Sequence, residues 1–244
     1  PLSEAYRSLC TSLQFSTARG MPKSLLITSA DPAEGKSITS LAIAQHFSRL
    51  GLKVLLVDAD MRSPSLHKAL RADNSIGLSS CLAGVSQPPD AIQTTDIENL
   101  AFLPSGPLPP NAADLLSSPH LMSLLSLSLQ AFDLVVIDGP PVLGIADAPL
   151  LSNAAEATVF VIGAGVARTG SVRGALKRLD VAKSPLIGSV VTRFDVKRAG
   201  YGYGRYGYGY GYGFSYGEHA FSYGKSVPRF ETPPPMVPSR EHPS

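Results

Sequence analysis

The chain has 244 residues, 44% of them hydrophobic and 16% charged, with two cysteines and a formal net charge of +2. A chain of this length commonly closes around one core, and so little charge beside so much apolar content excludes wholesale disorder. Near-neutrality argues against a domain held on nucleic acid by bulk electrostatics. Cys10 and Cys81 have neither metal-ligand spacing nor a disulfide framework, as in a reduced intracellular protein.

No run of about 18 apolar residues exists, so the chain is expected to span no membrane. It opens at Pro1 without a Met, a signal peptide or a transit peptide, and reads as a piece of a longer polypeptide. The tyrosines are unevenly placed: one is Tyr6, and the other eight fall between Tyr201 and Tyr223. A globular body and a tail are therefore read separately.

Leu2, Tyr6, Leu9 and Leu13 recur at near-helical spacing, with Glu4 near the start, which predicts an amphipathic helix over 3–15. Ser24–Ser29 (SLLITS) and Lys53–Asp58 (KVLLVD) are short aliphatic runs. Between them Ile38, Leu41, Ala42 and Phe47 carry helical apolar spacing, which gives a strand, loop, helix, strand unit of the right-handed parallel type. The segment 88–89 and the proline-rich 104–110 mark loops. Helix-length segments at 113–130 and 171–181 alternate with the apolar runs Leu134–Asp138, Thr158–Ile162 and Leu186–Val191. Near-continuous apolar strands alternating with helices predict an α/β fold, a parallel sheet covered by helices on both faces.

The body is expected to occupy 1–199. Residues 200–244, YGYGRYGYGYGYGFSYG followed by a Pro-rich stretch, lack the aliphatic side chains that would offset their ordering entropy, and are expected to form a flexible tail.

Three segments at strand ends carry chemistry. Ser29–Ser37 (SADPAEGKS) lies between a predicted strand and a predicted helix, the setting in which loop N–H groups cradle phosphates. There Lys36 reaches the β and γ groups and the Ser37 hydroxyl ligates Mg²⁺. Ala30 stands where such loops have their first Gly, and an ordinary turn into a helix is the alternative. Asp58-Ala59-Asp60-Met61-Arg62 ends the second strand. Two carboxylates beyond a buried strand call for a cation or a donor, unless they cap a helix or pair with Arg62. Asp138, ending LVVID, reads as a Walker B carboxylate that holds Mg²⁺ through water. His46, His67, His120, His219 and His242 show no paired metal spacing.

The combination TSADPAEGKS, LLVDADMR and DLVVIDGPPVLGIADA resembles the bacterial protein-tyrosine kinases of capsule and exopolysaccharide export. The likeness runs from about Glu4 to Val191 and includes EAYRSLCTSLQFS, IGLSSCLAG and LPSGPLPPNAADLL in the same order. It implies a P-loop NTPase-like fold related to partition and division-site ATPases, and transfer of the ATP γ-phosphoryl to tyrosine. Carried over, Lys36, Asp58, Asp60 and Asp138 are the catalytic set, with Asp58 orienting the attacking tyrosine or acting as its base. Ala33, Glu34, Gly35, Lys36, Ser37 and Ile38 bind the nucleotide, and Ser37, Asp58 and Asp138 serve the metal.

The same resemblance makes Tyr201, Tyr203, Tyr206, Tyr208, Tyr210, Tyr212, Tyr216 and Tyr223 the phosphoacceptors, reached between subunits by a long Gly-spaced tail. It implies a homo-oligomer, a membrane-anchored chain-length domain fused upstream or separate, a tyrosine phosphatase, and a place at the cytoplasmic face of the bacterial membrane. Three departures are visible. Glu4 and Arg7 match the start of a ring-forming Glu-x-x-Arg-x-x-Arg pattern, but Cys10 stands where it has its last arginine. Ala33 replaces a Gly, and Thr192-Arg193 replaces an adenine-reading Asn. Asp147 and Arg168 match less specific family positions. The alternatives are a partition-type switch ATPase, which usually carries a lysine where this chain has Asp31, and a nucleotide-binding adaptor with a sticky Tyr-Gly tail.

Overall fold

The computed structural model describes residues 2–17 and 20–194. The tail expected at 200–244, with its eight tyrosines, lies outside the described residues. The chain divides into two units, Pro1–Val196 and Lys197–Ser244, and the described residues belong to the first.

The body is a seven-stranded sheet in the order β3-β4-β2-β5-β1-β6-β7. Its core strands are β1 (Ser24–Ser29), β2 (Val54–Asp58), β5 (Leu134–Asp138) and β6 (Ala157–Gly163), with β4 (Leu100–Leu103) and β7 (Leu186–Thr192) outside them. All of these pair in parallel, whereas the two-residue β3 (Gln93–Thr94) runs antiparallel to β4. The sheet is thus mixed at one edge and not wholly parallel. β3 and β4 are additions to the predicted strands.

Alternation along each strand builds two layers. Leu26, Leu55, Val57, Val135 and Ile137 face a cluster completed by α4 (Leu78–Leu82) and by Leu121, Leu124 and Leu125. Leu25, Ile27, Val54, Leu56, Leu134 and Val136 face the opposite side, where Ile43, Ala44 and Phe47 of α2 (Lys36–Arg49) cover them. The first helix, α1 (Leu2–Gln14), adds Cys10 and Leu13 to this second layer. Phe160, Ala175 and Leu179 bring in α9 (Thr169–Val181).

Several expectations need correction. Ile38 is 65% exposed, so the core face of α2 is Thr39, Ser40, Ile43, Ala44 and Phe47. The single helix expected at 113–130 is two, α6 (Ala112–Leu116) and α7 (Pro119–Ala131), because a proline cannot continue a preceding helix yet suits the first turn of a new one. The same preference makes 88–91 a short helix, α5 (Pro88–Ala91), in place of the expected loop. Helices α3 (Leu66–Leu70) and α8 (Asp147–Ala154) are additions to the predicted helices.

Cys10 is fully buried against α2, and burial pushes its thiol up to about 12. A guanidinium there would have to leave water or displace the helix. Among the described residues no helix is long and apolar enough to cross a membrane.

Gly77 shows where loop backbones meet most closely. A Cβ at this position would lie 2.3 Å from both the Gly106 nitrogen and the Pro104 oxygen, atoms that cannot swing aside as a side chain can. The neighbouring Leu78 and Ser79 N–H groups donate to the Pro104 and Ser105 carbonyls, which ties α4 to the loop after β4. Gly77→Ala is therefore expected to lower stability by roughly 1–3 kcal/mol, read as an earlier urea midpoint at unchanged slope.

Candidate active site

The phosphate-type loop follows β1 at the centre of the sheet, and its residues hold it open. Gly35 precedes α2 at φ 100°, a left-handed conformation that glycine adopts freely. Ala33 adopts φ 60°, where a Cβ costs roughly 1–2 kcal/mol. Glu34 is fully buried, and its carboxylate turns into the protein: Oε1 accepts the Asp31 N–H at 2.7 Å and Oε2 accepts the Gly163 N–H at 2.9 Å. The Thr192 hydroxyl donates to the Glu34 carbonyl at 2.6 Å. Glu34 thus offers a ligand only its backbone, while its side chain fastens the loop to the end of β6.

Lys36 opens α2 and is buried, and among the described residues it makes no ion pair. An unpaired ammonium held out of water at a helix N-terminus suits an anion. Ile38 exposes its side chain, so its contribution to a nucleotide would be its backbone N–H.

The two strand-end aspartates lie beneath this helix. Asp58 continues the face of Val54 and Leu56, Asp138 that of Leu134 and Val136, and the two are register partners on β2 and β5. Period-two geometry therefore aims both carboxylates at α2. Ser40 donates its hydroxyl to Asp138 Oδ1 at 2.9 Å. Asp58 Oδ2 accepts the Ser65 and Leu66 N–H groups at 3.2 and 3.1 Å, and Oδ1 the Asp60 N–H at 3.3 Å.

Burial, aided by the Asp138 charge, pushes the Asp58 carboxyl up to about 7 despite those donors. Burial likewise pushes Asp138 up to about 6, opposed by the Ser37 and Ser40 hydroxyls and by the Lys36 charge. Two hard carboxylates and a hydroxyl, crowded and short of positive charge, are a donor set that suits Mg²⁺.

Asp60 is half-buried, and its carboxylate accepts the N–H groups of Arg62 and Ser63, which closes its own turn. Arg62 does not pair with Asp60. It reaches Asp147, buried at the start of α8, through a two-pronged contact at 2.8 and 3.0 Å. Arg168 is exposed and precedes α9. Among the described residues no group of three or more His, Cys, Asp or Glu forms a metal cluster of its own. The structure therefore brings Lys36, Ser37, Asp58 and Asp138 together, sets Asp60 beside them, and leaves Arg168 apart. Glu34 as an anchor, Ser40, Arg62 with Asp147, and Thr192 on the loop emerge only from the fold.

A sequence family described as AAA domain matches residues 32–173. The tyrosine-protein kinase YwqD of Bacillus subtilis (strain 168) is 41% identical over 189 residues, 78% of this chain and 80% of that protein. This chain belongs to the bacterial protein-tyrosine kinases. The tyrosine-protein kinase Wzc of Salmonella typhimurium is 34% identical over 81% of the chain, a match that takes up only 28% of Wzc. The crystal structure of the chimerical protein CapA2B2 superposes with a TM-score of 0.76 at 34% identity, covering 80% of this chain and 85% of that one. The septum site-determining protein MinD of Pyrococcus horikoshii, solved with Mg-ADP, has a TM-score of 0.61 at 24% identity over 71% of each chain, a likeness of fold.

In the metal-free kinase the native Asp58 holds its proton to about pH 7, the unfolded chain only to 3.8. Native protein therefore binds more protons between those values, and stability falls as pH rises through the window. Asp58→Asn keeps an oxygen acceptor for Ser65 and Leu66 and removes that loss. In chelator at about pH 8 the variant is expected to melt several degrees above wild type, with the gap closing toward about pH 4. Coincident melting curves at every pH would contradict the described burial of the carboxylate.

Proposed function

We propose that the chain is the ATP- and Mg²⁺-dependent catalytic part of a tyrosine autokinase that regulates capsule or exopolysaccharide polymerisation and export. The observation that carries this reading is the convergence of a buried lysine, without an ion pair among the described residues, with two register-paired buried aspartates at the carboxyl ends of adjacent parallel strands. Open α/β sheets bind ligands at that edge.

Backbone N–H groups from Ala33 to Ile38 and the Lys36 ammonium would hold the β- and γ-phosphates, and Ser37 and Asp138 would hold Mg²⁺. Bound Mg²⁺ would neutralise charge on the phosphates. Asp58, fixed by the Ser65 and Leu66 N–H groups, would orient the attacking hydroxyl with its carboxylate and accept the phenolic proton. The tyrosine oxygen forms its bond to the γ-phosphorus as the bond to the β-bridging oxygen breaks and ADP leaves. Little covalent chemistry is asked of the protein, so positioning and charge neutralisation carry the rate. Asp60 holds the turn that presents Asp58.

The acceptors in this reading are Tyr201, Tyr203, Tyr206, Tyr208, Tyr210, Tyr212, Tyr216 and Tyr223, in the segment 200–244, which serves a neighbouring subunit's site. Each phosphate would add about −1.5 to −2 charge to a nearly neutral tail, so modification would drive subunits apart until a phosphatase removed it. The match to a minor part of Wzc supports a partner domain that carries the membrane anchor, which would keep this domain at the cytoplasmic face.

The test is incubation of the full chain with ATP and Mg²⁺ and mass mapping of phosphate. Phosphotyrosine between Tyr201 and Tyr223 is expected. It should fall by about 10²-fold or more in Lys36→Met and in Asp58→Asn. ATP hydrolysis without phosphotyrosine would overturn the kinase reading in favour of a switch ATPase.

A further inference from the structure

The loop that holds Lys36 is fastened from outside at two adjacent strand ends. Its side-chain anchor is Glu34, bonded to the Gly163 N–H on β6. Its backbone anchor is Thr192, the last residue of β7, whose hydroxyl donates to the Glu34 carbonyl from 158 residues away in sequence. The contact is close on all sides. A Cβ at Gly35 would lie 3.3 Å from the Thr192 hydroxyl and methyl, and one at Gly163 would lie 3.3 Å from the Glu34 Cα. The Thr192 carbonyl in turn accepts the Ala164 N–H, which fixes β7 to the loop after β6.

A peptide group is planar and trans, so its C=O and the following N–H point in opposite directions. Anchoring the Glu34 carbonyl on Thr192 therefore fixes where the Gly35 N–H points: away from β7. Without the hydroxyl the Glu34 side chain and the Gly35 carbonyl, which accepts the Thr39 N–H, still hold the residues on either side, but the peptide plane between them loses its own anchor and turns more freely beside Gly35, at φ 100°, where glycine meets little steric resistance.

We propose that Thr192 is a positioning residue for nucleotide binding, which orients the Glu34–Gly35 peptide so that the Gly35 N–H is preset to donate to a phosphate oxygen. The inference rests on the assignment of this loop to ATP. Thr192 need not touch the nucleotide. It acts through the peptide plane, and its effect falls on ATP affinity and not on the chemical step.

The experiment compares Thr192→Val, which keeps the shape and loses the hydroxyl, with Thr192→Ser, which keeps the hydroxyl and loses the methyl. ATP binding to the full chain is titrated in Mg²⁺, and KM for ATP and kcat for phosphotyrosine formation are measured with melting of the nucleotide-free protein. Lys36→Ala is the control for the loop. The expected result is a Kd and KM for ATP raised about five- to tenfold in Thr192→Val at near-native kcat. Thr192→Ser should stay within about twofold of wild type, and both should melt close to it. Unchanged affinity in Thr192→Val, beside a loss in Lys36→Ala, would overturn the positioning role alone. Equal losses in the Val and Ser variants would overturn it in favour of methyl packing. Unchanged affinity in Lys36→Ala would overturn the loop assignment and this inference together.

Discussion

Asp58 and Asp138 lie side by side on adjacent strands, both out of water, and the nucleotide end of the molecule is organised around keeping them there. Like charges this close cannot both ionise cheaply, so the fold surrounds them with hydrogen-bond donors: two N–H groups at the start of α3 and one from the Asp60 turn for the first, the Ser37 and Ser40 hydroxyls for the second. The donors soften the conflict without removing it, since both carboxyls remain well above their ordinary range. What remains is a demand for positive charge, and Lys36 at the head of α2 faces it. Such perturbed carboxyls mark functional sites, and bound Mg²⁺ would supply the charge they call for.

How these groups meet follows from simple alternation. β2 and β5 each end in an aspartate two residues past an aliphatic side chain on the α2 side, and their parallel register sets the two ends level. That much could be read from VLLVD and LVVID, because parallel strands buried on both faces leave ligand chemistry to their carboxyl ends. The helix that closes over them was legible too, from an aliphatic run, a Gly-Lys-Ser and a second aliphatic run in order. What could not be read was its rotation. Ile38 fits a helical apolar pattern as well as Ile43 does, and only the packed sheet distinguishes the exposed one from the buried one.

The parts that sequence reading missed share a cause: their partners are remote. Glu34 meets Gly163 across 129 residues, and Arg62 meets Asp147 across 85. Nothing local separates a glutamate that lines a ligand loop from one that bolts the loop down. The division of 113–130 into two helices was different, since Pro119 announces it. The short α3 and α8 carry too few residues to show a clear period, and the start of α3 is set by Asp58, whose carboxylate accepts the Ser65 and Leu66 N–H groups. Arg62 illustrates the same point. Beside Asp60 in the chain it suggests a local ion pair, yet a two-pronged geometry is satisfied only by the buried carboxylate on α8.

Cys10 gives the first helix a property of its own. Its thiol is sealed between α1 and α2, with its ionisation pushed to about 12, so a thiol reagent in neutral solution meets almost no thiolate while the helix is seated. Alkylation at this one sulfur therefore counts the excursions in which α1 lifts from the body, as exchange of buried amides counts local openings. The chain carries its own clock for the undocking of its N-terminal helix, and any neighbour that grips that helix would slow it.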